Sequence, residues 1–223
     1  MPTSLRENLL NLWDRYAQCE ACQLHRYRRI AIRSVGNNVG PLVVFIVDRL
    51  EPQDLYRGQI LQGDQQNVLE VLLSFLKRDY RDYYYVSPVA CPTRWLHTID
   101  DLVPLPKVPE VKSCSSRVLS EIGYLQPHVV VACGQSAVKC ALPQKTPQVI
   151  MSAGSMFPMS VPGHHVPYHV PVMVTNSLHT LGRLPESEQA ELWHETCQHI
   201  DSAIGVAEQL HQLQGESHVR SDP

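Results

Sequence analysis

The chain has 223 residues, 43% of them hydrophobic and 18% charged, with a formal net charge of −3. This composition supports one substantial core and excludes both a disordered chain and one coated in positive charge for nucleic acid, while leaving room for a local basic patch. The longest apolar runs, at 41–47 and 127–133, are too short to cross a bilayer, and the N-terminal MPTSLREN lacks the apolar centre of a signal peptide, so a soluble cytoplasmic protein with no membrane partner is expected.

In chain order, Thr3 and Ser4 offer a cap for a first helix, in which Leu5, Leu9, Leu12, Trp13 and Tyr16 recur at helical spacing. PLVVFIV (41–47) is a continuous apolar run rich in β-branched residues, the pattern of a strand covered on both faces. A second amphipathic helix follows over 64–77, and DYYYVSPVAC (82–91) reads as a second buried strand. VKSCSSRVLSEIGYL predicts another helix, PHVVVAC (127–133) a third strand, and GQSAVKCAL a short helix after Gly134. Two short apolar runs around PGHH predict a hairpin, and ESEQAELWHETCQHIDSAIGVAEQL a last helix, followed by a polar, frayed tail. Strands that alternate with helices predict an α/β fold, a three-layer α/β/α sandwich with a mainly parallel central sheet. A single domain is expected over 1–205, with a polar tail over 206–223.

Seven cysteines, an odd number, argue against a fully paired disulfide framework and leave thiols for other work. CEACQLH places Cys19 and Cys22 at a spacing that suits zinc, an iron-sulfur cluster or a redox dithiol. Cys91, at the end of the second predicted strand, and Cys114 complete a possible set of four ligands. The long interval between these two, broken by Pro92, Pro104, Pro106 and Pro109, is unlike the close second knuckle of a zinc ribbon and leans toward iron-sulfur. Cys133, Cys140 and Cys197 lie in apolar contexts and read as core residues. His164, His165 and His169 carry metal-ligating nitrogens, on what reads as a surface hairpin. HRYRRIAIR, with Arg26, Arg28, Arg29 and Arg33 around Tyr27, is the one dense basic run, either a phosphate-contacting strip or a solvated edge. Gly134 to Ala137 open a helix after a strand, where an anion is favoured.

From about residue 8 to 199 the chain resembles the iron-sulfur uracil-DNA glycosylases, the thermophile-type group called family four. CEACQLH matches the family's C-x₂-C-x-L-H, VSPVACP its T-N-V-V-K-C-R-P, Cys114 its later cysteine, and QPHVVVACGQSA its next strand. VFIVDRLEPQDLYRGQILQGDQQNVL can be laid on its G-E-A-P-G and P-F-V-G loops, and VTNSLHTLGRLPE on its histidine-bearing last loop. The resemblance implies a glycosylase-like fold and a [4Fe-4S] cluster on Cys19, Cys22, Cys91 and Cys114, within an iron-sulfur region spanning 19–114. It implies DNA as partner, with Arg28, Arg29 and Arg183 on phosphate.

The match fails where chemistry is needed. Of the G-E-A-P-G loop, the acid is matched by Asp48, which would position water, but both glycines are replaced. Leu61 stands for the stacking aromatic and Ser87 for the base-reading asparagine. The loop histidine falls on Ser177, with His179 two residues on. Losing one preorganised donor typically costs on the order of 100-fold or more in rate, so several such losses leave little excision. Three functions are therefore expected to compete: a non-catalytic or strongly altered glycosylase-like protein that binds DNA in repair or replication, a working glycosylase for uracil or another modified base, and a protein-interaction subunit such as a polymerase accessory that meets a replication partner.

Overall fold

The computed structural model describes residues 5–94, 103–143, 148–162 and 167–219. The Thr3 and Ser4 cap, and His164 and His165, lie outside the described residues.

Among the described residues six strands form one sheet: β1 (Val35–Gly36), β2 (Val43–Ile46), β3 (Tyr84–Val86), β4 (Val129–Cys133), β5 (Met156–Val161) and β6 (Tyr168–Thr175). Their order is β1-β3-β2-β4-β6-β5. The four inner strands β3, β2, β4 and β6 run parallel, and an antiparallel strand closes each edge. Every residue of β2 and β4 is fully buried, as expected of parallel strands covered on both faces. The β5–β6 pair is the predicted hairpin. The fold is thus α/β with a mixed, mainly parallel sheet.

The helices fall into two groups. α1 (Leu5–Ala17), α4 (Val108–Leu125) and α5 (Gln135–Ala141) pack together, while α3 (Asp64–Phe75), α7 (Leu178–Leu181) and α8 (Glu186–Val219) form the other set. This division accords with a three-layer sandwich. α2 (Pro52–Arg57) and α6 (Val149–Ser152) are short connections. α8 lies on β2, β4 and β6, and buries Ile200, Ala203, Ile204 and Ala207, one stripe at helical spacing.

Two expectations change. The strand expected over 82–91 ends at Val86, because Pro88 has no N–H for the ladder and restricts Ser87 before it. Cys91 therefore stands in a loop, whose backbone is tied to the segment around Ile32 by Ile32 N–H donating to Ala90 O at 2.8 Å. The last helix does not stop at Leu210. It continues to Val219, and its extension is anchored: His211 meets the His128 ring edge to face at 5.2 Å, and His128 Nε2 lies 3.1 Å from Gln214 Oε1. Cys114 lies within α4, inside the helix predicted over VKSCSSRVLSEIGYL.

Candidate functional site

Among the described residues, two places gather chemistry-bearing side chains. The first is a cavity beside α1 and α4, lined by Cys19, Cys22, Cys91 and Cys114 together with Arg28 and Ala90. Cys19 follows α1, Cys22 precedes a 3-10 turn over Gln23–Tyr27, and Cys114 faces them from α4. Tyr16 Oη and Ser116 Oγ, 3.2 Å apart, tie α1 to α4 beside the cavity. Trp13 packs with Ala31 and Ala90, Cys114 lies against that cluster, and the Arg117 guanidinium stands over the Trp13 ring at 5.2 Å from its centroid.

Two cations address the sulfurs. Arg28 donates from one nitrogen to Cys19 O at 2.6 Å and to Cys91 Sγ at 3.7 Å, so it belongs to the cysteine cavity and is not a free phosphate contact. Arg117 is 1% exposed, donates to Glu121 Oε1 at 2.5 Å and to Ser87 O, and lies against Cys114. Burial opposes its charge, but Cys114 and Glu121 outweigh burial and hold its pKa above the ordinary arginine range. Tyr84 Oη completes the network, donating to Glu121 Oε2 at 2.9 Å. Burial raises the Cys22 and Cys91 thiols above their ordinary pKa, and at Cys91 the Arg28 charge opposes that shift. Cys133 and Cys140 are fully buried core residues, and Cys197 is nearly so.

Among the described residues no three His, Cys, Asp or Glu side chains gather closely enough to ligate a single ion. The thiols line a cavity and do not converge on a point. As a donor set, four sulfurs with two guanidiniums against them suit an anionic iron-sulfur group, which presents a separate iron to each ligand. A lone zinc would draw all four to about 2.3 Å from one centre.

The second place is a pocket of about 760 Å³ at the carboxyl ends of β2, β4 and β6. The chain passes from β2 to β3 on one side and then from β3 back across β2 to β4 on the other, and the crevice outside such a reversal is where open α/β sheets take ligands. Asp48 and Arg49 reach it from β2, Gln135 and Lys139 from α5, and Asn176 and Ser177 from the end of β6. Asp48 is 3% exposed; its Oδ1 accepts the Ser136 N–H at 2.8 Å, and the Ser177 hydroxyl hydrogen-bonds to the same carboxyl. Burial raises its pKa despite those bonds and the nearby Arg49 charge. The anion position expected at Gly134 to Ala137 is therefore filled by the protein's own carboxyl group.

Of the candidate catalytic residues, the fold brings Asp48 and Ser177 together and leaves His179 apart. The His179 ring is turned beneath α7 toward Glu51, with Nδ1 3.7 Å from Glu51 Oε1, and does not line the pocket. Leu61 and Ser87 do not line it either. Leu61 is 1% exposed in the core at φ 57°, and Ser87 is buried with its hydroxyl donating to Val89 O at 2.8 Å. Arg29 and Arg183 are exposed, and His169 is an exposed position of β6.

Sequence reading overlooked Arg49, Lys139, Arg117 and Glu121. The last two carried a signal, because they lie four residues apart on the face of α4 that also holds Val111, Val118 and Ile122. Ionised residues at core positions of an amphipathic helix are a pairing pattern. No protein-family model matches this chain, and no curated protein matches it.

Proposed function

We propose that this chain is an iron-sulfur protein of the uracil-DNA glycosylase type, without effective uracil excision, that binds DNA in repair or replication. One observation carries the reading: Cys19 and Cys22, Cys91, and Cys114, from three separate stretches of the chain, line a single cavity with Arg28 on the sulfur of one and Arg117 against another. A [4Fe-4S] cluster bound there would supply a covalent staple joining α1, the loop before Pro92 and α4. The protein's own part is to present four thiols, to offset their negative charge with two guanidiniums, and to orient Cys91 through the Arg28 bridge to Cys19 O.

DNA binding is supported by the side of the molecule next to that cavity. Arg26, Arg29 and Arg33 are exposed, and the backbone at Arg33 is fixed by its N–H to Gly58 O at 3.0 Å and by Ile60 N–H to its own carbonyl at 3.0 Å. Loss of excision is supported by the pocket: Leu61 and Ser87 are packed into the core, and His179 faces Glu51. A second reading, an active glycosylase for another base, is favoured by one contact only, the meeting of Asp48 with Ser177 at the pocket.

The test uses protein purified under low oxygen. Brown colour, stoichiometric iron and sulfide, salt-dependent binding of single-stranded or duplex DNA, and no abasic product from a uracil oligonucleotide are expected. A colourless zinc protein would overturn the cluster. Abasic product from any modified base would establish the second reading, and iron without DNA affinity would point to a protein-interaction subunit.

A further inference from the structure

Arg117 carries its guanidinium into the core, where the side chain is 1% exposed. Two of its nitrogens are satisfied, Nη1 by Glu121 Oε1 at 2.5 Å and Nη2 by the Ser87 carbonyl, while Nε is buried with no acceptor among the described residues. The same side chain lies against the Cys114 sulfur. A buried donor without an acceptor costs stability, and an anionic group held by Cys114 would offset that cost.

The charge of Arg117 has a counterweight. Glu121 accepts from Arg117 on one oxygen and from Tyr84 Oη, at 2.9 Å, on the other, so both oxygens are engaged as a carboxylate. Arg28 meets a different sulfur and has no such counterweight. One of its nitrogens donates to Cys19 O at 2.6 Å and to Cys91 Sγ at 3.7 Å, and among the described residues no ion pair joins it to a carboxylate.

An iron-sulfur cluster gains one negative charge on reduction, and much of it is felt at the sulfurs. A cation or an N–H donor on a ligating sulfur therefore favours the reduced state and raises the potential, whereas a nearby carboxylate lowers it. Burial strengthens the effect of Arg117 and Glu121, and water weakens that of the half-buried Arg28.

We infer that Arg28 and Arg117 are positioning residues that raise the reduction potential of the cluster proposed on Cys19, Cys22, Cys91 and Cys114, acting through the sulfurs of Cys91 and Cys114, and that Glu121, bonded to Arg117, holds it down. The inference rests on the cluster reading and deepens it, because it gives the same site a redox setting fixed by three charged side chains.

The test is a mediated redox titration of the full chain, purified under low oxygen and followed by visible absorption, with iron measured in parallel. Arg28→Gln is expected to keep its iron and to weaken the reduction equilibrium about tenfold, which is about 59 mV for one electron. Arg28→Lys retains the charge and should recover most of that shift. Glu121→Gln keeps the shape and an acceptor for Arg117 but removes the opposing charge, so it should move the potential upward by about as much. Opposite signs from two substitutions that each remove one charge are not what a packing role would give. Arg81→Gln, exposed and paired with Asp79, should leave the potential unchanged.

Potentials indifferent to both Arg28→Gln and Glu121→Gln, or moving the same way in both, overturn the inference, and a brown, iron-replete protein then leaves the cluster reading standing. Where Arg28→Gln loses its iron, Glu121→Gln decides, an upward shift supporting the inference and its absence overturning it. Colourless wild-type protein without iron defeats the cluster reading and this inference together.

Discussion

The carboxyl group of Asp48 occupies the space where Gly134 would carry a β-carbon. A Cβ built there would come to 2.6 Å from Asp48 Cγ and 2.8 Å from its Oδ2. Gly134 also has φ 90° and ψ 173°, a backbone region open in practice to glycine alone. The end of β4 and the loop after β2 are thereby locked together through one missing side chain. Gly134→Ala should lower the unfolding free energy by about 2 kcal/mol or more, read from urea midpoints at constant m. An unchanged midpoint would mean that Asp48 can leave its bond to Ser136 at no cost.

Stability should fall as pH rises from about 4 to about 7. Burial pushes Asp54 up to about 7, although Glu51 N–H and Gln62 N–H both donate to its carboxyl group at 2.8 Å, and the neighbouring Glu51 charge adds to the rise. In that interval the native chain holds a proton that the unfolded chain, with a carboxyl pKa near ~3.9, has released. Raising the pH thus favours the unfolded state until the native group also ionises near 7. Asp48, raised in the same direction, contributes with the same sign. Denaturation at pH 4.5, 5.5 and 7 should show the decline in wild type and a flatter profile in Asp54→Asn. A rise across the interval would contradict it.

The two Arg-Glu pairs, equally short at 2.5 Å, should differ greatly in consequence. Arg117 and Glu121 are 1% and 0% exposed, whereas Arg78 and Glu208 are 33% and 38% exposed. Arg117→Met leaves Glu121 charged and buried, with the Ser87 carbonyl also deprived of its donor, and should cost about 3–5 kcal/mol. Arg78→Gln should cost under about 1 kcal/mol, because water screens that pair. Denaturant titration of the two variants decides the matter; similar losses would show that the Arg117 network is solvated.

Cysteine variants should separate metal from packing. With the proposed cluster in place, Cys91→Ala removes one of its four ligands and is expected to abolish iron binding and the associated visible absorption. Cys140→Ala, in the fully buried core, should lower the melting temperature yet retain full iron. Iron retained in Cys91→Ala would remove that thiol from the ligand set.

What the sequence made readable follows from how each element is stabilised. Val43–Ile46 and Val129–Cys133 are apolar throughout because both faces of β2 and β4 are covered, so their pattern announces itself. β1 is two residues long and exists only through its pairing with Tyr84 and Tyr85, which no local pattern encodes. α2 was missed although EPQD holds its start signal: Pro52 opens the helix and Glu51 and Asp54 form a reciprocal cap. The continuation of α8 depends on His128, more than eighty residues earlier, and is a tertiary effect.

The cysteine positions were legible as a set, and their common cavity follows from the packing of α1 on α4. The pocket was only partly legible. Asp48 and Ser177 lie at strand ends, where ligands gather, but the departure of His179, Leu61 and Ser87 depends on side-chain direction, which alignment to a motif does not carry.

The two margins of the sheet differ from its interior in one respect that bears on company. β1 offers two residues, one of them Gly36 at φ 116°, and β5 carries Pro158 in register with Pro171 of β6. A strand that short and a ladder interrupted by prolines are poor templates for strand addition from another polypeptide. Any protein that joins this one must therefore dock on side-chain surface, and long-term storage should be limited by exposed helix faces such as Val71 and Phe75 of α3 more than by edge-to-edge stacking.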